Sequence, residues 1–166
     1  MVWIDPDNIH RGLECDGRIA EDFRRSTGTF VGVGPMGAKA IMAGSPYVQD
    51  VVLTGLNMKE VGALIFPAPA CREVSGLGAD ASMNEVLAST PVRQRIQAII
   101  DQLARESTGS ASRIARALVL AEPPSPVLGE ITDKGSVNQR AVLKHRAALV
   151  DALHDGSANG IYTPNV

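Results

Sequence analysis

Two apolar, β-branched runs stand three residues apart and fix the kind of fold this chain can take. VQDVVLTGL covers residues 48–56 and EVGALIFPA covers 60–68, with only Asn57, Met58 and Lys59 between them. Three residues leave no room for a crossover helix, so the runs read as a hairpin or as neighbouring strands of one sheet. GRIAEDF (17–23) and TGTFVGVG (27–34) read as an earlier pair of short strands joined by a loop. RIARALVLAEP (113–123) is a further strand candidate, ended by Pro123, Pro124 and Pro126. Helices fall between these runs. One is expected over 35–43, opened by Pro35 at its first position and stopped by Gly44. Ser82 and Glu85 form a capping-box pattern. Thr90 and Pro91 then open a longer helix with Val92, Ile96, Ile99, Ile100 and Leu103 on one face. Ser136 and Gln139 repeat the capping pattern ahead of a last helix running to about His154. That helix is expected to bury Val142, Leu143, Ala147, Val150 and Leu153 and to stop at Gly156. The order β, β, α, β, β, α, β, α predicts an α+β fold with a small, mostly antiparallel sheet, an N-terminal β-hairpin and packed helices. At 166 residues it is expected to be one domain.

Bulk properties narrow the function. A net charge of -2 and 4% aromatic residues argue against nucleic acid, which needs a basic face and stacking rings. No apolar segment is long enough to cross a membrane, and MVWIDPDN carries no basic leader, so the expected location is cytoplasmic. Cys15 and Cys71 are isolated and read as reduced thiols; His10, His145 and His154 are scattered, and no metal site is expected.

TFVGVGPMGAKAI (29–41) contains Gly32, Gly34 and Gly37 in the G-x-G-x-x-G spacing that lets a backbone approach a pyrophosphate. The acid that should close the next strand is missing: Asp50 opens it, and Thr54 and Gly55 stand at its end. A structural reading, in which glycines turn a strand into a helix, outweighs dinucleotide binding.

LECDGRIAEDFRRSTGTFVGVGPM (13–36), GSASRIARALVLAEPPS (109–125) and GEITDKGSVNQRAVLKHRAALV (129–150) say more. Together they resemble the C-terminal domain of feruloyl-CoA synthetases and related aryl-CoA ligases, within the AMP-dependent, adenylate-forming acyl-CoA synthetase superfamily. The resemblance implies a two-step ligase: a carboxylate attacks ATP to give an acyl-adenylate and pyrophosphate, and the coenzyme A thiol then displaces AMP. It implies a small C-terminal lid that rotates between the steps. Residues 1–12 are then a linker remnant of a missing N-terminal adenylation domain, 13–157 the lid, and 158–166 a loose tail.

Site residues follow by matching motifs. Arg18 matches the arginine that grips the AMP ribose, and Asp22, with Glu21 as near competitor, matches the hinge acid. Residues 26–30 match the loop that serves thioester formation, with Gly28 and Thr29 toward the pantetheine of coenzyme A; from the residues alone they are a plain hairpin turn. Lys134 matches the catalytic lysine of adenylation, where a long ammonium on a mobile loop stabilises charge on the combining carboxylate and α-phosphate. ATP, AMP and coenzyme A are implied as substrates, with Mg²⁺ in the parent enzyme and no cofactor held tightly by this chain alone. The implied partners are the N-terminal domain and an aromatic carboxylate such as a hydroxycinnamate. Cys15, Arg24, Phe30 and Gly37 depart from the family's usual Phe, Lys, Trp and Arg. The phosphate loop and adenine pocket are absent, so the chain alone is expected to be inactive, as a fragment, a truncated product or half of a split enzyme. The alternative is a stand-alone, non-catalytic protein-binding module.

Overall fold

The computed structural model describes residues 22–109 and 112–165. Arg18, Glu21, Cys15 and His10 lie outside the described residues. Two short strands, β1 (Phe23–Arg24) and β2 (Phe30–Val31), form an antiparallel hairpin. Helix α1 (Val33–Gly44) follows, then β3 (Val48–Thr54) and β4 (Val61–Pro67). Helices α2 (Ala70–Ser75), α3 (Met83–Ala88) and α4 (Thr90–Glu106) lead to β5 (Ile114–Val119), and α5 (Gln139–His145) and α6 (Ala147–Asp155) complete the order.

The main sheet has three strands in the order β3-β4-β5, with β3 antiparallel and β5 parallel to the central β4. With the hairpin, two of the three strand pairings are antiparallel, and the fold is α+β. Alternate side chains of β3 and β4 point to opposite faces, and both faces are covered. Val51, Leu53, Ala63 and Ile65 join a core with Ala40 of α1 and Val92, Ile96 and Ile100 of α4. Val52, Leu64 and Phe66 join a second with Val142 of α5 and Leu153 of α6. Double burial explains why VGALIF is apolar at every position apart from its glycine rather than alternating.

Several local expectations are borne out. The β3–β4 pair is the hairpin the three-residue gap requires. Ser82 and Glu85 make both capping-box bonds, at 3.2 and 2.8 Å. The five apolar residues named on α4 are all buried. Others are corrected. Helix α1 starts at Val33 rather than Pro35, and α2 lies in a stretch where no helix was expected. Ser136 does not cap α5: Asn138 does, its side chain accepting from Ala141 N–H at 3.3 Å. Ser136 Oγ instead faces Thr132 Oγ1 at 2.8 Å, and Gln139 Oε1 accepts from Leu53 N–H at 3.2 Å. The last helix is two helices, broken at Arg146 (φ −109°, ψ 28°), and Ala147 is exposed.

β2 pairs with β1 and stands apart from the sheet that holds β3. The glycine triplet therefore lies in no parallel strand–helix–strand unit, which dinucleotide binding requires. Gly34 and Gly37 are residues of α1 itself. Residues expected within a loose tail are held: Tyr162 is buried and exchanges backbone hydrogen bonds of 2.8 and 2.9 Å with Ala117 of β5.

Candidate functional site

Lys134 stands exposed at the tip of a small hairpin. Ile131 and Val137 form an antiparallel bridge. Above it, Thr132 N–H donates to Ser136 O at 2.8 Å and Gly135 N–H to Thr132 O at 2.9 Å. Gly135 closes the turn at φ +81°, a left-handed conformation that suits glycine.

The base of this hairpin is built from charge. Glu130 is fully buried, and its two carboxylate oxygens take Arg146 Nε at 3.1 Å and Nη2 at 2.9 Å. Oε2 also accepts from Ser125 N–H at 2.7 Å. Glu130 O accepts from Asn138 N–H at 2.7 Å, which joins the hairpin's entry to the start of α5. Arg146 gives two further N–H groups to Glu122 O (3.1 Å) and Pro123 O (2.9 Å), and its guanidinium lies 5.2 Å from the Phe66 ring centroid. The guanidinium hydrogen bonds hold the Glu130 carboxyl below its ordinary range, against the burial that would raise it. Asp50 adds a clip from the sheet. One oxygen accepts from Val51 N–H at 2.9 Å and the other from Val137 N–H at 3.3 Å. A cavity of about 400 Å³ separates hairpin and sheet, lined among others by Asp50, Phe66, Met83, Leu120, Ile131 and Val137.

The β1–β2 turn is a second, separate feature. Arg25 N–H donates to Thr29 O at 2.9 Å and Gly28 N–H to Arg25 O at 2.8 Å. Gly28 is exposed at φ +81°. Thr27 Oγ1 and Thr29 Oγ1 lie 3.0 Å apart. Just before the turn, Asp22 Oδ1 accepts from Val33 N–H at 2.7 Å. The N-cap residue of α1, Gly32, has no side chain to offer, so the Asp22 carboxylate satisfies one of the helix's orphan donors and meets the positive end of its dipole.

The two features occupy opposite ends of β3–β4. Asp50 fastens the Lys134 hairpin near the Val48 end, where Val48 pairs with Pro67. The β1–β2 turn is fastened beyond the other end, through Ser26 N–H to Met58 O (2.8 Å) and Arg25 Nη1 to Lys59 O (2.9 Å). From the Asp50 anchor β3 runs on through Val51 to Thr54, roughly 13 Å at the rise of a strand, and the Gly55–Met58 turn lies beyond it. Gly28 and Thr29 are thus together, Asp22 is beside them at the hairpin, and Lys134 is far from all three. A cleft of about 440 Å³ at the turn's end is lined by Arg25, Lys59, Glu60 and Arg113, among others.

Sequence reasoning missed Glu130 and Arg146, reading 129–136 as a polar loop. One signal was available. Arg146 sits on the stripe Val142, Arg146, Val150, Leu153, the apolar face of the final helical pattern. A charge in that register needs a buried partner.

Comparison with known proteins places the chain. Its fold is similar to the adenylation domain of a carboxylic acid reductase from Segniliparus rugosus, solved with AMP and a co-purified carboxylic acid (TM-score 0.63, 20% identity, 85% of this chain and 21% of that one). The A-PCP didomain of carboxylic acid reductase from the same organism, with AMP, gives a TM-score of 0.59 at 19% identity over 81% of this chain and 17% of that one. The adenylation domain of a Mycobacterium chelonae carboxylate reductase gives 0.60 at 19% identity over 81% and 19%. These likenesses are of fold, and the chain spans about a fifth of each of those chains. No curated protein matches. The AMP-binding enzyme C-terminal domain family matches residues 31–158, from β2 past the end of α6, and the chain belongs to that family.

Proposed function

We propose that the chain is the C-terminal lid portion of an ATP-dependent acyl- or aryl-CoA ligase, feruloyl-CoA synthetase-like, acting with an N-terminal adenylation domain. In the first half-reaction a carboxylate oxygen attacks the α-phosphorus of ATP and pyrophosphate leaves. Lys134 stabilises the charge shared between carboxylate and phosphate. In the second, the coenzyme A sulfur attacks the acyl carbon and AMP leaves. Gly28 and Thr29 line the path of the pantetheine arm, and Gly28, with no Cβ, lets it come close. Arg18 holds the ribose, and Asp22, with Glu21 as its near competitor, is the hinge acid. The cations of the cleft beside the turn suit the phosphates of coenzyme A. Among the described residues no three His, Cys, Asp or Glu side chains gather as metal ligands. Mg²⁺ in this reading belongs with the ATP phosphates and the adenylation domain. The acid is an aromatic carboxylate such as a hydroxycinnamate.

The observation that carries the reading is the separation of the Lys134 hairpin from the β1–β2 turn. A fixed lid could bring only one of them to a nucleotide held in a partner domain. A lid that rotates between steps brings each in turn. The AMP and carboxylic acid named with one similar adenylation domain suit the same chemistry.

The test mixes this chain with its cognate N-terminal domain. Carboxylate-dependent ATP–pyrophosphate exchange should appear. Lys134→Ala should abolish it while largely sparing thioester formation from supplied acyl-adenylate. Unchanged exchange in that variant would sink the lysine assignment. The second reading, a non-catalytic protein-binding module, draws on Val127, an apolar residue 94% exposed, and on Leu128 beside it, 50% exposed. Binding of the N-terminal domain with no gain of exchange would favour it.

A further inference from the structure

We infer that Asp50, Glu130 and Arg146 are positioning residues for Lys134, fixing where its ammonium arrives when the lid closes. The inference rests on the Lys134 reading above. Both stems of the hairpin are fastened, and by different elements. The entering stem leaves Glu130, whose carboxylate and carbonyl together engage Arg146, Ser125 and Asn138. The returning stem carries Val137, whose N–H is taken by Asp50 of β3. Arg146 sits at the break between α5 and α6 and reaches Glu122, Pro123 and the Phe66 ring of β4. The hairpin is therefore referenced to the sheet through Asp50 and to the helical junction through Arg146, which itself rests on Phe66 of the sheet. Only the tip, with Asp133, Lys134 and Gly135, is exposed.

This arrangement has a chemical use. A lysine side chain is long and has many rotamers, so its own flexibility already spreads the ammonium over several ångströms. A backbone that also wandered would add to that spread. Displacement of a reacting or stabilising group by about 1 Å can cost about a hundredfold in rate. A stem without play leaves the side chain as the only loose joint. The expensive parts of the device are the buried charges. An apolar clasp would lack the four directed hydrogen bonds that Arg146 gives to two carbonyls and a carboxylate at once.

Asp50→Asn tests the role. The amide keeps the shape of the carboxylate but has one acceptor oxygen, so it cannot hold Val51 N–H and Val137 N–H together. In the complex of the full chain with its adenylation domain, we expect kcat for pyrophosphate exchange to fall about tenfold or more. KM for ATP should stay within about twofold, since uniform binding is untouched. Thioester formation from supplied acyl-adenylate should be unchanged. Amide exchange at Val137 should quicken while that at Ile65 in the core holds. Arg146→Lys, which keeps the charge but loses the fork, should show the same split; if it does not fold, Asp50→Asn decides alone. A kcat within twofold of the parent's, an unaltered Val137 amide, or an equal loss in both half-reactions each overturns the inference. Exchange that survives Lys134→Ala marks failure of the Lys134 reading itself. Exchange that needs Lys134 but ignores Asp50→Asn marks failure of the positioning role alone.

Discussion

Glu130 is the residue on which most other local contacts converge. Its carboxylate is out of water and bonded to Arg146 and to Ser125 N–H. Removing one partner of such a pair leaves a buried charge without compensation, so Glu130→Gln should cost about 3–5 kcal/mol in a denaturation experiment. A loss under about 1 kcal/mol would show that water reaches the site. The acid side of the stability curve should carry the same signature. Arg146 holds the folded carboxyl below its ordinary value. Its contribution is then complete above about pH 4.3, the unfolded value, and is lost as pH falls through the lower folded value. His154 acts earlier. Burial, with Arg116 nearby, lowers its pKa from 6.5, and its Nε2 lies 2.7 Å from Thr54 Oγ1. Stability from this group is full above about pH 6.5 and declines as pH falls through the folded value. His154→Gln should flatten the first decline and leave the Glu130 step in place, read from denaturation midpoints across pH 3–8.

At the scale of elements, glycines show how far pattern alone can be trusted. Gly37 and Gly62 look equivalent in the sequence, each a glycine inside a regular element. A Cβ on Gly37 would meet nothing within 4 Å. Gly37→Ala should therefore stabilise α1 by about 0.5–1 kcal/mol, the usual gain for alanine over glycine within a helix. A Cβ on Gly62 would stand 2.5 Å from Thr54 Oγ1 and 2.9 Å from Leu153 Cδ2. Gly62→Ala should destabilise by about 1–3 kcal/mol, because α6 already lies flush on β4. Thermal midpoints of the two variants should move in opposite directions. The same contrast says what was legible. β3, β4, α3 and α4 were readable because apolar period, turn length and capping are local signals. The break at Arg146 and the Asn138 cap were not, because they depend on Glu130 sixteen residues away from Arg146 and on how Ser136 is used in the hairpin. The parallel partnership of β4 and β5 was equally hidden, since three helices separate the strands in sequence. For the candidate site, the strings around Lys134 and Gly28 were visible, but the side chains that hold Lys134 in place were not.

At the scale of the molecule, the sheet acts as a spacer between two chemically different ends. One end bears a lysine on an anchored hairpin, and the other bears a glycine turn beside a cationic cleft. No described helix is long and apolar enough to cross a membrane. The family match stops at residue 158, yet the folded body continues past it. Tyr162 pairs with Ala117, Gln97 Nε2 donates to Thr163 O at 2.8 Å, and Asn165 N–H donates to Asp101 Oδ1 at 2.9 Å. A chain cut at residue 158 should keep its helices but associate as concentration rises, whereas the full chain sediments unchanged over the same range. Equal behaviour of the two would refute this. The reason lies in β5, which has β4 on one side only. Stripped of Tyr162, its outer row of amides and carbonyls becomes an adhesive margin, open to any extended peptide. A short terminal segment that sequence similarity leaves out therefore serves as the selvedge of the sheet.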